Sequence, residues 1–166
     1  AGWCGTYSHR TGLRLRQYWH LEDKEHTDSQ QETIETVRRL VIDAIERQLV
    51  SDVPLCTFLS GGLDSSIISA VAAQQYAREG KQLETVSVTY RDNAKYFQAS
   101  HFQPNSDDSY IGKMNDAIGA NNHLIVIDTP QLVRALFEAV EARDLPGMAD
   151  VDASLLLFCR EIKKIG

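Results

Sequence analysis

"TFLSGGLDSSIISAVAA", residues 57–73, runs an apolar stretch into two glycines, an aspartate and two serines, then straight into a second apolar stretch. The residues before the glycines, "PLCTFLS" (54–60), are apolar or β-branched and lie between Pro54 and Gly61, which predicts a short buried strand. After them, "SSIISAVAAQQYA" (65–77) sets Ile67, Ile68, Val71, Ala72 and Tyr76 on one helical face and ends near Gly80. "SGGLDSS" (60–66) is therefore a strand-to-helix turn. In an open parallel sheet such turns gather beyond the carboxyl ends of the strands, where ligands bind.

Further along, "LETVSVTY" (83–90) alternates like a strand, "DSYIGKMNDAIG" (108–119) suits a helix and "HLIVIDT" (123–129) is another apolar strand. "PQLVRALFEAVEAR" (130–143) opens with proline in its first turn, where the missing N–H is harmless, and "DASLLLFCREIKKI" (152–165) suits a final helix capped by Asp152. Strands separated by helices must run parallel, because only a crossover returns the chain in the same direction. The expectation is an α/β fold: a three-layer parallel sheet with helices on both faces. The polar stretch 91–109 is too long for an ordinary strand-to-helix link, so it is either a functional loop or hides an element.

Upstream, Ile34, Val37, Val41, Ala44, Ile45 and Leu49 recur at helical spacing, predicting a long helix over 29–50 with Asp28 or Ser29 as cap and Glu32 in its first turns. The tail 1–27 carries scattered aromatics, and "LRLRQYWHL" (13–21) reads as one short strand with a cationic face.

The turn has two readings. Gly61 and Gly62 permit positive φ and close backbone approach, so successive amides can face one anion, and the first turn of the helix adds free N–H groups and the positive end of its dipole. Ser60, Ser65 and Ser66 offer hydroxyls. Asp64 would repel a phosphate unless a cation stood between them, and Mg²⁺ takes oxygens from carboxylate and phosphate together. In the alternative reading Asp64 merely caps the helix and the glycines serve a tight turn. The patterns GxxxxGK[ST], GxGxxG and GxSxG are all missing from the chain.

Composition narrows the partners. Seventeen Lys and Arg against 23 Asp and Glu give a formal charge of −6, with no dense basic cluster for a nucleic-acid backbone. No apolar run approaches a membrane span. Cys4, Cys56 and Cys159 form no CxxC pair, which suits a reducing cytoplasm, and "AGWCGTYSHR" has neither the basic nor the apolar segment of a secretion signal. His9, His20, His26, His101 and His123 show no metal-ligand spacing.

"SGGLDSS" after an apolar strand resembles the pyrophosphate loop of the N-type ATP pyrophosphatases. Within that superfamily, "VPLCTFLSGGLDSSIISAVAA" is most similar to the synthetase domain of the glutamine-hydrolysing asparagine synthetase family. "YWHLED" (18–23), "SDVP" (51–54), "NNHLIVID" (121–128) and "EARDLPGMADVDASLLLFCREIKK" (141–164) extend the likeness over residues 18–165. The resemblance implies an adenine nucleotide α-hydrolase-like fold over 28–166, with residues 1–27 a remnant of a glutaminase domain and linker. It implies phosphate contacts from Ser60, Gly61, Gly62, Asp64, Ser65 and Ser66, with Asp64 also a Mg²⁺ ligand. It places Phe58, Leu59 and Val88 against adenosine, although simple burial explains each of those three as well.

The implied reaction uses ATP and Mg²⁺ to adenylate the aspartate side-chain carboxylate, after which ammonia from a glutaminase domain displaces AMP to give asparagine. The family's second ATP motif, of the form SGEGADE, does not occur in these 166 residues, so no complete catalytic set is expected here. A homodimer is compatible with the likeness, as are two rival functions: another adenylating ligase such as a β-lactam synthetase, and an ATP-binding module without chemistry. "CG" at Cys4 imitates the family's glutaminase nucleophile, but that cysteine must be the first residue so that its own amine serves as base.

Overall fold

The computed structural model describes residues 1–98, 101 and 108–165. The chain divides into two compact units, Ala1–Arg38 and Arg39–Gly166.

The first unit opens with an antiparallel hairpin, β1 (Trp3–Ser8) and β2 (Gly12–Gln17), in register from Trp3↔Gln17 to Ser8↔Gly12. The alternation at 13–21 predicts one strand; it ends at Gln17 and is paired with a strand that the irregular "WCGTYS" does not announce. Gly2 closes the base of the hairpin at φ +74, its carbonyl accepting the Tyr18 and Trp19 amides at 2.8 and 3.2 Å. A Cβ there would lie 2.0 Å from the Trp19 carbonyl oxygen, so only glycine fits. Helix α1 (Gln30–Glu46) starts on a capping box. The Ser29 N–H donates to Glu32 Oε2 at 2.9 Å and the Glu32 N–H returns to Ser29 Oγ at 3.3 Å. The same serine's hydroxyl donates to the Glu32 carboxylate and holds it below the ordinary glutamate range. Ser29, rather than Asp28, is therefore the cap. The helix ends four residues short of the predicted Val50.

The second unit is α/β, built on a parallel sheet of three strands in the order β3 (Cys56–Phe58), β4 (Glu84–Tyr90), β5 (Asn121–Ile127). β3 meets β4 from Cys56↔Glu84 to Phe58↔Val86, and β4 meets β5 from Glu84↔Asn121 to Tyr90↔Ile127. Helix α2 (Leu63–Arg78) follows β3; the short turn α3 (Asn93–Tyr96) and α4 (Asp108–Ile118) follow β4; α5 (Thr129–Arg143) and α6 (Ala149–Ile162) follow β5. The turn α3 is an element hidden in the polar stretch 91–109. Of that stretch, residues 99, 100 and 102–107 lie outside the described residues.

Side chains alternate across the strands, and the two faces differ in chemistry. On one face Thr57 bonds Ser69 of α2 at 2.8 Å and Thr85 bonds Asn115 of α4 at 3.4 Å. On the other, Phe58 meets Phe158 of α6 edge to face with centroids 4.6 Å apart, and the Tyr90 and Ser154 hydroxyls lie 2.8 Å apart.

Two element boundaries shift from expectation for local reasons. Asp128, expected inside a strand, is instead the N-cap of α5: its carboxylate accepts the Gln131 N–H at 2.9 Å while the Gln131 side chain accepts the Asp128 N–H at 3.2 Å, and Pro130 sits in the first turn. Asp152, expected to cap α6, lies one turn inside it and pairs with Arg143 of α5, because the helix begins earlier, after Met148. Where α5 and α6 touch, Ala135, Ala139 and Ala153 are buried, so small side chains let the two helices approach closely.

The cluster Ala72, Leu83 and Ala120 anchors α2 to the sheet, with Leu49, Tyr76 and Ile118 packed around it. Leu83 is 2% exposed. Replacing it with Ala should cost about 2–5 kcal/mol by cavity formation, whereas Asp128→Ala should cost about 1 kcal/mol through the lost cap. Urea denaturation of the two variants should give that order; an Asp128 variant as damaging as the Leu83 one would mean the cap does more than close a helix.

Candidate functional site

The last rung of the β3–β4 ladder is the Leu59 N–H to the Val86 carbonyl, 2.9 Å. The chain then leaves the sheet. Gly61 turns at φ +82, where a side chain would be strained, but Gly62 is extended at φ −75, ψ 164. Of the two glycines, both of which permit positive φ, only the first uses it. A Cβ on Gly62 would meet only Ser60 Oγ, at 3.4 Å, an ordinary contact, so neither φ nor space demands glycine there.

The hydroxyls of Ser60 and Ser65 brace the turn from within. Ser65 Oγ donates to the Gly62 carbonyl at 3.1 Å and accepts the Ser60 N–H at 3.2 Å. Its proton being committed, the 2.9 Å contact between the two hydroxyls runs from Ser60 Oγ to Ser65 Oγ. The Gly62 N–H in turn donates to Ser60 Oγ at 3.4 Å. Gly62 is the N-cap of α2 and brings no side-chain oxygen, so the amides of Leu63, Asp64 and Ser65 in the first turn have no cap. The first helical bond is Ser66 N–H to the Gly62 carbonyl, 3.1 Å.

Asp64 sits at the second helical position, exposed, and its carboxylate makes no cap bond. The capping role weighed for it from the sequence is thus filled by a glycine. A free carboxylate beside uncapped amides suits a cation held between it and an anion, the donor chemistry that Mg²⁺ takes. Among the described residues no group of three or more His, Cys, Asp or Glu forms a metal cluster, so Asp64 would be one protein ligand among oxygens from a bound ligand.

A cleft of about 480 Å³ opens beside the turn at the carboxyl ends of β3 and β4. Phe58, Leu59, Ser60 and Val88 line it, four of the residues singled out from the sequence; Gly61, Gly62, Asp64, Ser65 and Ser66 follow Ser60 along the turn but are not among its lining residues. Leu59 is 1% exposed, so its side chain is core and only its position at the strand end relates it to the cleft. The cleft also takes Tyr90, Asn93, Phe97 and Ile111, and closes with Ser154, Leu155 and Phe158 of α6. Sequence reading did not find these. Asn93 and Phe97 lie in the stretch with no pattern, and the α6 residues come into place only through tertiary packing.

Two cysteines can be set aside as nucleophiles. Burial, then the charges of Glu84 and Cys159, push the Cys56 thiol up, which keeps it protonated near neutral pH. Cys4 lies within strand β1, with Sγ 3.6 Å from the Arg16 carbonyl.

The asparagine synthase family model matches residues 36–166, a span that holds the turn, the cleft and all three parallel strands. The asparagine synthetase [glutamine-hydrolyzing] 3 of Bacillus subtilis is 58% identical over 93% of this chain and 25% of its own length. The amidase chyE of Penicillium rubens is 31% identical over 79% of this chain and 20% of its own, and the asparagine synthetase B of Escherichia coli is 27% identical over 98% and 30%. This chain thus spans between a fifth and a third of the length of those relatives. With "SGGLDSS" folded as a turn at the carboxyl edge of a parallel sheet, and with the family model matching most of its length, the chain belongs to the asparagine synthase family.

Proposed function

We propose that these residues form the ATP-binding part of a glutamine-hydrolysing asparagine synthetase. The observation that carries it is the uncapped first turn of α2, with exposed Asp64, reached directly from Ser60, which lines an apolar cleft large enough for a nucleoside. The B. subtilis and E. coli relatives, named asparagine synthetases, support the same reading.

In this proposal the amides of Leu63, Asp64 and Ser65 hold the pyrophosphate portion of ATP, with Ser60, Gly61, Gly62 and Ser66 around it. Phe58 and Val88 form the wall against adenosine, and Leu59 meets it through its main chain at the strand end. Asp64 holds Mg²⁺, which when bound neutralises charge on the leaving pyrophosphate. Fixed amide donors and in-line placement of the aspartate carboxylate at the α-phosphorus then favour the adenylated intermediate. Ammonia, released from glutamine by a separate glutaminase domain of which residues 1–27 are the tail, displaces AMP. Groups outside these 166 residues complete the substrate pocket. A three-layer sheet of the ATP pyrophosphatase kind and a cytoplasmic location accompany the proposal; among the described residues no helix is long and apolar enough to cross a membrane.

One finding favours a second reading. The P. rubens relative and a 28% identical one from Gibberella zeae are named amidases, so membership of this group accommodates a different amide chemistry. The natural polypeptide carrying this sequence, incubated with ATP, Mg²⁺, aspartate and glutamine, should yield AMP, pyrophosphate and asparagine. ADP in place of AMP, or turnover indifferent to aspartate, would overturn the asparagine assignment. ATP binding without turnover would favour a nucleotide-holding module.

The metal role of Asp64 has its own test. Asp64→Asn keeps the shape and removes the charge, so ATP affinity measured with Mg²⁺ should fall on the order of tenfold or more, and affinity measured in EDTA should change little. Equal affinities of variant and wild type in Mg²⁺ would leave Asp64 without a metal.

A further inference from the structure

Behind the turn runs a buried relay of polar side chains that the proposed ATP contacts leave unused. Asn122 of β5 donates from Nδ2 to Thr85 Oγ1 at 2.9 Å and to Ser87 Oγ at 3.0 Å. Thr85 passes its own proton to Asn115 Oδ1 of α4 at 3.4 Å, and Ser87 donates to the Leu59 carbonyl at 2.7 Å. Thr85 and Ser87 are 0% and 1% exposed. Each amide and hydroxyl proton in this chain has one acceptor, so its direction is fixed.

The relay ends on a peptide that begins the turn. Among the described residues the main-chain ladder between β3 and β4 stops at Leu59 N–H to Val86, and Ser87 Oγ takes the Leu59 carbonyl where a further rung would form. The N–H of that same peptide unit belongs to Ser60 and donates to Ser65 Oγ at 3.2 Å. A peptide unit is planar, so a bond at each end sets its orientation. Ser65 is in turn the hydroxyl that holds the Gly62 carbonyl at the N-cap of α2.

We propose that Ser87, held in place by Asn122, is a positioning residue for the 60–66 turn: it orients the Leu59–Ser60 peptide and, through Ser65, the amides of the first turn of α2. The role rests on the reading of that turn as a phosphate site. Ser87 touches no ligand itself. It acts through a main-chain carbonyl, from the side of the sheet opposite the aromatic wall formed by Phe58 and Phe158.

The test uses the natural polypeptide with inorganic pyrophosphate and Mg²⁺ as the probe, followed by calorimetry, together with amide hydrogen exchange. Ser87→Ala should weaken pyrophosphate roughly three- to tenfold and speed exchange of the Ser60 and Gly62 amides, the two that are hydrogen-bonded within the turn, leaving exchange in α5 and α6 unchanged. Ser87→Thr, which keeps the hydroxyl, should restore both. Should Ser87→Ala not fold, Asn122→Ala decides the matter, because it leaves the serine but removes its anchor and should shift both readouts the same way by a smaller factor.

The proposal is overturned if pyrophosphate affinity is unchanged in a folded variant, if exchange rises equally in every element, or if the Thr variant is as impaired as the Ala one. A wild-type protein that binds no pyrophosphate refutes the phosphate reading instead. The exchange data would then still show whether Ser87 holds the turn.

Discussion

Parallel pairing of three strands constrains everything else in the second unit, and the bond from Leu59 N–H to the Val86 carbonyl is where its β3–β4 part ends, while β4 and β5 stay paired to Tyr90↔Ile127. Parallel strands deliver their carboxyl ends to one edge, so each departure of the chain from the sheet happens on the same side. β3 is only three residues long, and its early end beside the longer β4 leaves a step at that edge. The cleft occupies the step. Its floor is the ends of β3 and β4 with Ser60, and α6 lies on its other side, so a ligand there would touch elements distant in sequence.

The two faces of the sheet divide the labour. The α6 face is apolar and aromatic, and contributes the wall of the cleft through Phe58 and Phe158. The α2 and α4 face carries Thr57, Ser69, Thr85 and Ser87, all buried and all hydrogen-bonded. Buried hydroxyls are costly unless satisfied, and no buried side-chain polar atom among the described residues lacks a partner. A face of this kind adds modestly to stability but discriminates strongly between correct and shifted packings.

Much of this was readable in the chain. The apolar run at 54–60, the glycines and the periodic helix after them gave strand, turn and helix in the right order, and alternation at 83–90 found β4 almost to the residue. What escaped depends on contacts distant in sequence. β1 has no pattern of its own and exists because β2 pairs with it. The four-residue α3 is too short to show a period. Asp128, expected to lie in a strand, caps α5, and Asp152, expected to cap α6, pairs with Arg143, because a carboxylate near a helix start serves equally as cap or as ion-pair partner and only the position of the first helical bond decides between them. Ser87 reads from sequence as one more residue of a buried strand, and its hydroxyl gains meaning only from the carbonyl it meets.

The Thr57–Ser69 bond has a consequence for the position of α2 along its own axis. A helix lying on an apolar face can slide, since dispersion contacts are nearly as good a fraction of a turn away. A directional bond of 2.8 Å, buried between strand and helix, cannot tolerate the ~1.5 Å displacement that one residue of axial slip requires. The hydroxyl pair therefore acts as a linear stop. The distance from the carboxyl end of β3 to the first amides of α2, the dimension on which any anion seated there would depend, is held by a threonine and a serine placed well behind it.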